Sequence, residues 1–172
     1  MPTNLELKAR YEHNRKLSAG IQKLNARNAG TLLQTDTYFC YRPGRLKLRE
    51  IENERSELIW YRRPNSVQNR YSVFKRISVE DPGSLKRILA ASIGVKTVVK
   101  KKRQLYLFRN ARIHVDKVEK LGTFIEFEVM VTKGRNQAKS LLSFLEKAFN
   151  IAPRSVLVSS YGDMMNRHRR NR

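Results

Sequence analysis

Residues 112–128 read RIHVDKVEKLGTFIEFE, and this stretch decides the fold because two of its runs alternate polar with apolar residues. The polar positions of the first run are Arg112, His114 and Asp116. In the second run Glu126 and Glu128 alternate with isoleucine and phenylalanine. Side chains two residues apart on a β-strand point to the same side, so each run predicts a strand with one ionic and one apolar face. The turn-forming residues 120–122 lie between the two strands.

The same alternation recurs elsewhere, in NLELK at residues 4–8 and RLKLR at residues 45–49. The apolar faces of such strands need a core, and the ionic faces need a ligand, a counter-charge or water. A sheet curled into a barrel with its ionic face inward would have a cationic lumen containing carboxylates, which suits a polyanion carried with a divalent cation. For any single run a solvated outer face is the alternative. The repetition over several strands favours the lumen.

Length and composition predict one folded domain over residues 1–163 followed by a basic tail over residues 164–172. No apolar run approaches the ~18 residues that a membrane span requires, and the amino terminus lacks the apolar stretch of a signal peptide. We therefore expect a cytoplasmic protein with no membrane partner. A nuclear location is the alternative, because KKKR at residues 100–103 resembles an import signal.

The formal net charge is +21, from 36 basic and 15 acidic side chains. A field of this strength attracts polyanions. The residues assigned to the lumen below account for only part of this excess of positive charge. We therefore expect an exposed basic surface, to which the arginine-rich tail contributes, that binds nucleic acid or polyphosphate.

Periodicity and turn residues place the elements along the chain. Strands are predicted over residues 3–10, 35–41, 45–51, 57–63, 70–77, 95–102, 104–109, 112–118 and 123–132. Helices are predicted over residues 12–28, 81–94 and 136–149. The short connections in the first half are typical of an antiparallel meander. Together the elements predict an α+β fold built on an antiparallel sheet, closed as a barrel.

Several short motifs follow one another in a specific order. They are ELK at residues 6–8, DTYF at 36–39, RLKLRE at 45–50, LIWYRR at 58–63, VKKKR at 99–103, LY at 105–106, the stretch 112–128 and SY at 160–161. In this order and spacing they resemble the CYTH superfamily of triphosphate tunnel enzymes, and within it the class IV adenylyl cyclases. The resemblance implies an antiparallel eight-stranded β-tunnel with flanking helices whose basic interior holds a triphosphate.

The resemblance also implies roles for individual residues. The carboxylates that would hold Mg²⁺ or Mn²⁺ are Glu6, Asp116, Glu126 and Glu128. The cations that would hold the triphosphate are Lys8, Arg10, Lys47, Arg49, Arg63, Lys75, Lys101, Arg103 and Arg112. Among these, Lys101, Arg103 and Arg63 are the expected catalytic residues. The implied reaction is the conversion of ATP to cyclic AMP and pyrophosphate, and a homodimer is implied as well.

One position departs from the family's opening motif, Glu-x-Glu-x-Lys, because Asn4 replaces its first glutamate. An amide oxygen can bind a metal, but the affinity of a site for a hard cation falls with the charge of its ligands. Two other functions therefore stay open beside the cyclase. One is a triphosphatase acting on inorganic, thiamine or nucleoside triphosphate, and the other is a non-catalytic protein that binds polyphosphate or nucleic acid.

Overall fold

The computed structural model describes residues 2–11, 15–66 and 70–170. The strands are β1 (Thr3–Arg10), β2 (Arg27–Phe39), β3 (Arg45–Ile51), β4 (Ser56–Arg62), β5 (Tyr71–Val79), β6 (Val95–Phe108), β7 (Ala111–Val118), β8 (Gly122–Met130) and the short β9 (Val156–Leu157). The helices are α1 (Arg15–Lys23), α2 (Pro82–Ile93), α3 (Arg135–Ala148) and α4 (Tyr161–Arg170). Among the described helices, none combines the length and the hydropathy needed to cross a membrane.

The strands β1 to β8 form a closed antiparallel barrel. Their order around the sheet is β5-β4-β3-β2-β6-β7-β8-β1, and β1 pairs in turn with β5. This closing contact joins residues 3–5 of β1 to residues 71–73 of β5. Farther along β1, β9 pairs with Lys8 and Ala9. The predicted α+β fold with an eight-stranded antiparallel barrel is thereby confirmed.

The largest apolar core lies outside the barrel rather than within it. Strands β1, β7 and β8 direct alternate apolar side chains outward, and α1 and α3 cover them. Fully buried examples are Leu7, Ile113, Phe127, Leu142 and Leu145. Complete burial of one such side chain stabilises the fold by about 1.5–3 kcal/mol. The apolar half of each alternating run therefore anchors the strand and leaves its polar half facing the lumen.

Helix α4 covers one end of the barrel. Its first residue, Tyr161, packs against Phe124 of β8 with ring centroids 5.1 Å apart. Met165, one turn later, is buried with Tyr161 in a small apolar cluster that also includes Val99. Residues 164–170, which the sequence places in a basic tail, therefore belong to a packed helix. The run of arginines at residues 167–170 obscures the apolar contacts of Met164 and Met165 in the sequence pattern, and residues 171–172 lie outside the described part of the chain.

Two strands are longer than predicted. β2 begins at Arg27, within the segment predicted as a helix over residues 12–28, and residues 12–14 of that segment lie outside the described ranges. Gly30 reads as a helix stop, but it lies in β2 with φ 103°, where the pairing with β6 shifts register. Such a bulge favours glycine because a side chain is strained at positive φ. The two runs predicted over residues 95–109 form one strand, β6, which pairs with both β2 and β7.

Candidate active site

A strongly charged cavity occupies the barrel lumen. Among the described residues, eight cationic side chains line it: Lys8, Lys47, Arg49, Arg63, Arg76, Lys101, Arg103 and Arg112. Four carboxylates line it as well: Glu6, Glu57, Glu126 and Glu128. The cavity continues into a wider one, bordered by residues 53–57 and 78–80, that shares several of these side chains. Tyr161 of α4 lines the opposite end.

Three of the lumen cations converge on a single carboxylate, Asp36 of β2. The Asp36 side chain accepts hydrogen bonds from Lys47 Nζ at 3.0 Å, Arg49 Nε at 2.8 Å and Lys101 Nζ at 3.1 Å. Asp36 is completely buried, and both lysines are buried too. We call these four residues the Asp36 cluster. Its three cations outnumber its single anion, so the cluster carries excess positive charge inside the protein.

Burial and the excess charge together perturb the pKa values of the cluster. Burial and the neighbouring Arg49 lower the pKa of Lys47 to about 7. Burial and the charge of Arg103 lower the pKa of Lys101 to about 8. Burial alone would raise the pKa of Asp36, but the three cations hold it well below its usual range. An added anion would relieve the repulsion that adds to the effect of burial on both lysine pKa values.

Arg103 of β6 links two carboxylates, Asp116 on the adjacent strand β7 and Glu126 on the following strand β8. It donates to both oxygens of Asp116, at 2.7 and 2.6 Å, and to Glu126 Oε2 at 2.9 Å. Glu126 also pairs with Lys8, whose Nζ lies 3.2 Å from Oε1. Because both oxygens of Asp116 are bonded to Arg103, this carboxylate holds the guanidinium in position. The structure does not bring Asp116 into the group of carboxylates that its predicted metal-binding role would require.

A different residue completes that group. His114, Glu126 and Glu128 present one ligand atom each, and these atoms all lie within 4.8 Å of one another. His114 is 3% exposed, and its Nδ1 has no hydrogen-bond partner within the described part of the chain. The same atom lies 3.5 Å from Glu126 Oε2 and 3.8 Å from Glu128 Oε1. A buried nitrogen that has no hydrogen-bond partner and faces two carboxylates fits a divalent cation.

Glu6 lies in the same lumen but is bonded to a cation. Its Oε2 accepts a hydrogen bond from Arg63 Nη1 at 2.7 Å, and Arg63 also donates to the carbonyl oxygen of Val158 at 3.1 Å. Burial raises the pKa of Glu6 to about 7, with Arg63 opposing this shift and the carboxylates of Glu128 and Glu126 adding to it. Asn4 is buried two residues earlier on the same face of β1 and also lines the cavity.

Two predicted triphosphate ligands do not lie in the lumen. Lys75 is exposed, whereas its neighbours Phe74 and Arg76 on β5 line the cavity. Because Lys75 and Arg76 are consecutive basic residues, the sequence pattern does not show which of the two faces the lumen. Arg10 is exposed at the end of β1, where its Nη1 donates to the carbonyl oxygen of Leu121 at 3.1 Å.

The sequence-based assignment also missed functional candidates. Asp36 belongs to the DTYF motif, but the motif alone predicts no role for it. The sequence feature that points to the lumen is its spacing of two residues from Tyr38, which places both side chains on one face of the strand. His114 was assigned no metal-binding role, although its position between Arg112 and Asp116 places it on the ionic face of β7. On β5 the sequence predicts Lys75 as the triphosphate ligand, whereas Arg76 is the residue that lines the cavity.

A strand barrel with a buried ionic lumen defines a recognisable class of protein. Residues 2–156 match the CYTH domain family, and the chain belongs to this family. A Methanocaldococcus jannaschii protein named "Putative adenylate cyclase" is 24% identical over 169 residues, which span 91% of this chain and 95% of that protein.

Solved structures show the same fold. A Pyrococcus horikoshii OT3 protein superposes with a TM-score of 0.82 at 24% identity, over 93% of this chain and 98% of its own. A Vibrio parahaemolyticus protein whose structure is described as a putative adenylate cyclase superposes with a TM-score of 0.72 at 19% identity. That match covers 94% of this chain and 97% of the Vibrio protein.

Proposed function

We propose that this protein is a metal-dependent enzyme that binds a triphosphate in the barrel lumen and converts ATP to cyclic AMP and pyrophosphate. The Asp36 cluster carries the proposal, because two buried lysines and the half-buried Arg49 share one carboxylate. A polyphosphate would supply the missing negative charge. The names of the M. jannaschii and Vibrio proteins favour the cyclase reaction over other reactions of a bound triphosphate.

The cations of the lumen suit a chain of phosphates. The Arg49, Arg63 and Arg103 guanidinium groups can each bind two oxygens of one phosphate, whereas Lys47 and Lys101 act as mobile point charges. All five side chains line the same cavity. In the free protein they are bonded to Asp36, Glu6, Asp116 and Glu126. These carboxylates keep the cations in place before the phosphates arrive.

The residues that would hold the divalent cation are His114, Glu126 and Glu128, and Glu6 lies beside them as the cross-strand neighbour of Glu128. When bound, the cation would neutralise charge on the phosphate oxygens. The protein's own contribution is positional. Arg103 fixes one oxygen of Glu126, and Lys8 lies against the other.

In the cyclase reaction the ribose 3′-hydroxyl oxygen forms a bond to the α-phosphorus, and the bond from that phosphorus to pyrophosphate breaks. The hydroxyl proton is released to the solvent, and pyrophosphate leaves with the electron pair of the broken bond. Lys101 and Arg103 lie on one face of β6 and can stabilise the negative charge that develops on these oxygens. Hydrolysis is the second candidate, because the same cations would stabilise attack by water.

The test is to incubate the protein with ATP, GTP and inorganic tripolyphosphate, with Mn²⁺, with Mg²⁺ and with chelator. We expect cyclic AMP and pyrophosphate from ATP, more with Mn²⁺ than with Mg²⁺, and no product with chelator. Glu126→Gln should abolish the product while circular dichroism confirms that the barrel is folded. Phosphate release without cyclic AMP would assign the protein as a triphosphatase. No product from any substrate would contradict catalysis and support a non-catalytic polyphosphate binder.

Restoring the family's glutamate at position 4 should strengthen cation binding. Asn4 is 6% exposed and lines the lumen two residues before Glu6. The variant Asn4→Glu adds a further carboxylate to the lumen beside Glu6. We therefore expect it to bind Mn²⁺ about tenfold tighter in isothermal titration calorimetry. Asn4→Gln, which enlarges the side chain without adding charge, is the matched control. Equal affinity in the two variants would show that position 4 does not contact the cation.

Binding of tripolyphosphate should take up protons from the solvent at pH 8. Lys47 has a pKa of about 7 and is mostly neutral at that pH, and a bound polyanion raises the pKa of an ammonium group beside it. We expect an uptake that shrinks towards pH 6, where Lys47 is already charged. Calorimetry in buffers of different ionisation enthalpy measures it. Lys47→Arg, which stays charged, should reduce the uptake, and an unchanged value would exclude Lys47 as its source.

A further inference from the structure

The lumen widens at the end remote from α4. The wide end has a volume of about 1160 Å³, whereas the charged part of the lumen measures about 110 Å³. Pockets that bind small organic molecules have volumes of about 300–1,000 Å³. The charged part is therefore too small for a whole nucleotide, and the wide end has room for the nucleoside.

Three apolar side chains on neighbouring strands line this wide end. They are Leu32 of β2, Ile51 of β3 and Leu105 of β6. Ile51 follows Arg49 by two residues, and Leu105 follows Arg103 by two residues. Residues at this spacing share one face of a strand, so both apolar side chains lie on the lumen face. The inward residues of these strands thus change from cationic to apolar towards the wide end.

The strand register brings the three side chains together. Leu32 lies directly opposite Arg103, and Ile51 lies directly opposite Gln34. Leu32 is therefore the diagonal neighbour of both Ile51 and Leu105, at the ~7–8 Å spacing across which long side chains touch. We call these three residues the apolar lip. Each is half-buried, and none belongs to the apolar cores that the described residues form.

The apolar lip borders the groups proposed to bind phosphate and metal. Two residues along a strand span about 6.6 Å, and this distance separates Ile51 from Arg49 and Leu105 from Arg103. His114 of the candidate metal group lies directly opposite Leu105 in the pairing of β6 with β7. A ligand that reaches from the arginines to the lip thus needs a sugar-sized spacer between its phosphates and its apolar part. A nucleoside triphosphate has this arrangement.

The two ends of the lumen differ in a way that orients such a ligand. Helix α4 covers one end, where Tyr161 and Tyr38 have rings that could stack on a base but are only 2% and 5% exposed. At the wide end the exposed rim residues include Glu54, Arg55 and Glu80, whose charges have both signs. The rim therefore does not compete with the cationic lumen for phosphates. The phosphates point inward, and the nucleoside lies at the wide end.

We propose that the apolar lip binds the base of a nucleoside triphosphate whose phosphates occupy the charged lumen. This inference rests on the proposed function, because it requires a triphosphate in the lumen. All three members of the lip are aliphatic, so the base is held by burial of apolar surface. The lip thereby assigns nucleoside triphosphates, rather than inorganic triphosphate, as the substrate class.

Calorimetry in the presence of chelator measures binding without turnover. The two ligands are ATP and methyl triphosphate, which has the same esterified phosphate chain but no nucleoside. We expect the wild type to bind ATP about tenfold tighter than methyl triphosphate. Equal affinities would overturn the inference and leave the triphosphate lumen in place. No binding of either ligand would contradict the triphosphate lumen itself, on which the inference rests.

Two adjacent leucines of β2 provide a matched pair of variants. Leu32 belongs to the apolar lip, whereas Leu33 is 49% exposed on the outer face of the barrel. Leu32→Asn removes apolar contact without adding charge, so it should weaken ATP binding about fivefold or more and leave methyl triphosphate binding unchanged. Leu33→Asn should change neither affinity. An equal loss for both ligands in Leu32→Asn, or no loss for ATP, would overturn the inference.

A variant with an added ring tests the lip in the opposite direction and does not depend on the folding of Leu32→Asn. Leu105→Phe places an aromatic side chain on the lip, where stacking on a base strengthens binding. We expect ATP to bind about fivefold tighter and methyl triphosphate to bind as before. Leu33→Phe, on the outer face, is the control and should change neither affinity. If Leu105→Phe is folded by circular dichroism and does not favour ATP, the inference is wrong.

Discussion

Lys101→Met should lower the turnover of a bound triphosphate by roughly 10²- to 10³-fold, the effect of removing one donor that stabilises developing charge. Lys101 is buried in the lumen, and its ammonium group contacts Asp36 at 3.1 Å. The replacement keeps the length of the side chain and removes the charge. Asp36 keeps Lys47 and Arg49 as partners, so we expect the free energy of unfolding to change by less than about 1 kcal/mol.

The chain provides a matched control for this experiment. Lys102 is the next residue on β6, and it is exposed on the outer face. Lys102→Met makes the same chemical change on the same strand and should retain the wild-type rate. The measurement is steady-state product formation together with denaturant unfolding of each variant. A wild-type rate in Lys101→Met, or an equal loss in both variants, would contradict a catalytic lumen.

Asp36→Asn should destabilise the protein by about 3–5 kcal/mol, the cost of breaking a buried ion pair by removing one partner. The amide has nearly the shape of the carboxylate, but it leaves Lys47, Arg49 and Lys101 without their shared counter-ion. Urea unfolding measures the loss. Glu57→Gln is the control, because Glu57 pairs with the largely exposed Arg76 and should cost less than about 1 kcal/mol.

A polyanion should reverse part of this loss. Tripolyphosphate at a hundred times its dissociation constant stabilises a protein that binds it only when folded by about 2.7 kcal/mol. We expect Asp36→Asn to gain more from tripolyphosphate than the wild type gains, because the variant has one more unneutralised positive charge in the lumen. An equal gain in both proteins would indicate that the phosphates bind away from the Asp36 cluster. No loss of stability in the variant would contradict the buried cluster itself.

Strict alternation explains why much of the lumen could be predicted from sequence. In β1, β3 and β7 a polar residue follows every apolar one, and residues 125–128 of β8 alternate in the same way, so only one of the two faces can be apolar. The lumen positions of Lys8, Arg49, Glu126 and Glu128 follow from that pattern, and the resemblance supplied their roles. The pattern fails in β5, where Lys75 and Arg76 are adjacent. There the inner residue depends on the pairing of β5 with β4, which the sequence does not display.

Contacts between residues distant in sequence are a second reason why the sequence alone does not give the whole site. Asp116 is predicted as a metal ligand, and in the structure it lies apart from the group formed by His114, Glu126 and Glu128, bonded through both oxygens to Arg103 on the neighbouring strand. His114 became a candidate because the pairing of β7 with β8 places it directly opposite Glu126. The sequence does not predict helix α4 because its apolar residues are few. They are buried only through contact with the barrel end that the helix covers.

The position of the apolar core outside the barrel bears on how such proteins diverge. The hydrophobic free energy that holds β1, β7 and β8 resides in residues facing α1 and α3, whereas the lumen residues face the other way. Mutations in the lumen therefore leave the hydrophobic core intact and change only the electrostatic balance. Asn4 in place of an acidic residue is one such exchange. A scaffold of this kind can evolve new ligand specificity through charge substitutions at lumen positions that, unlike Asp36, are not the shared counter-ion of several cations.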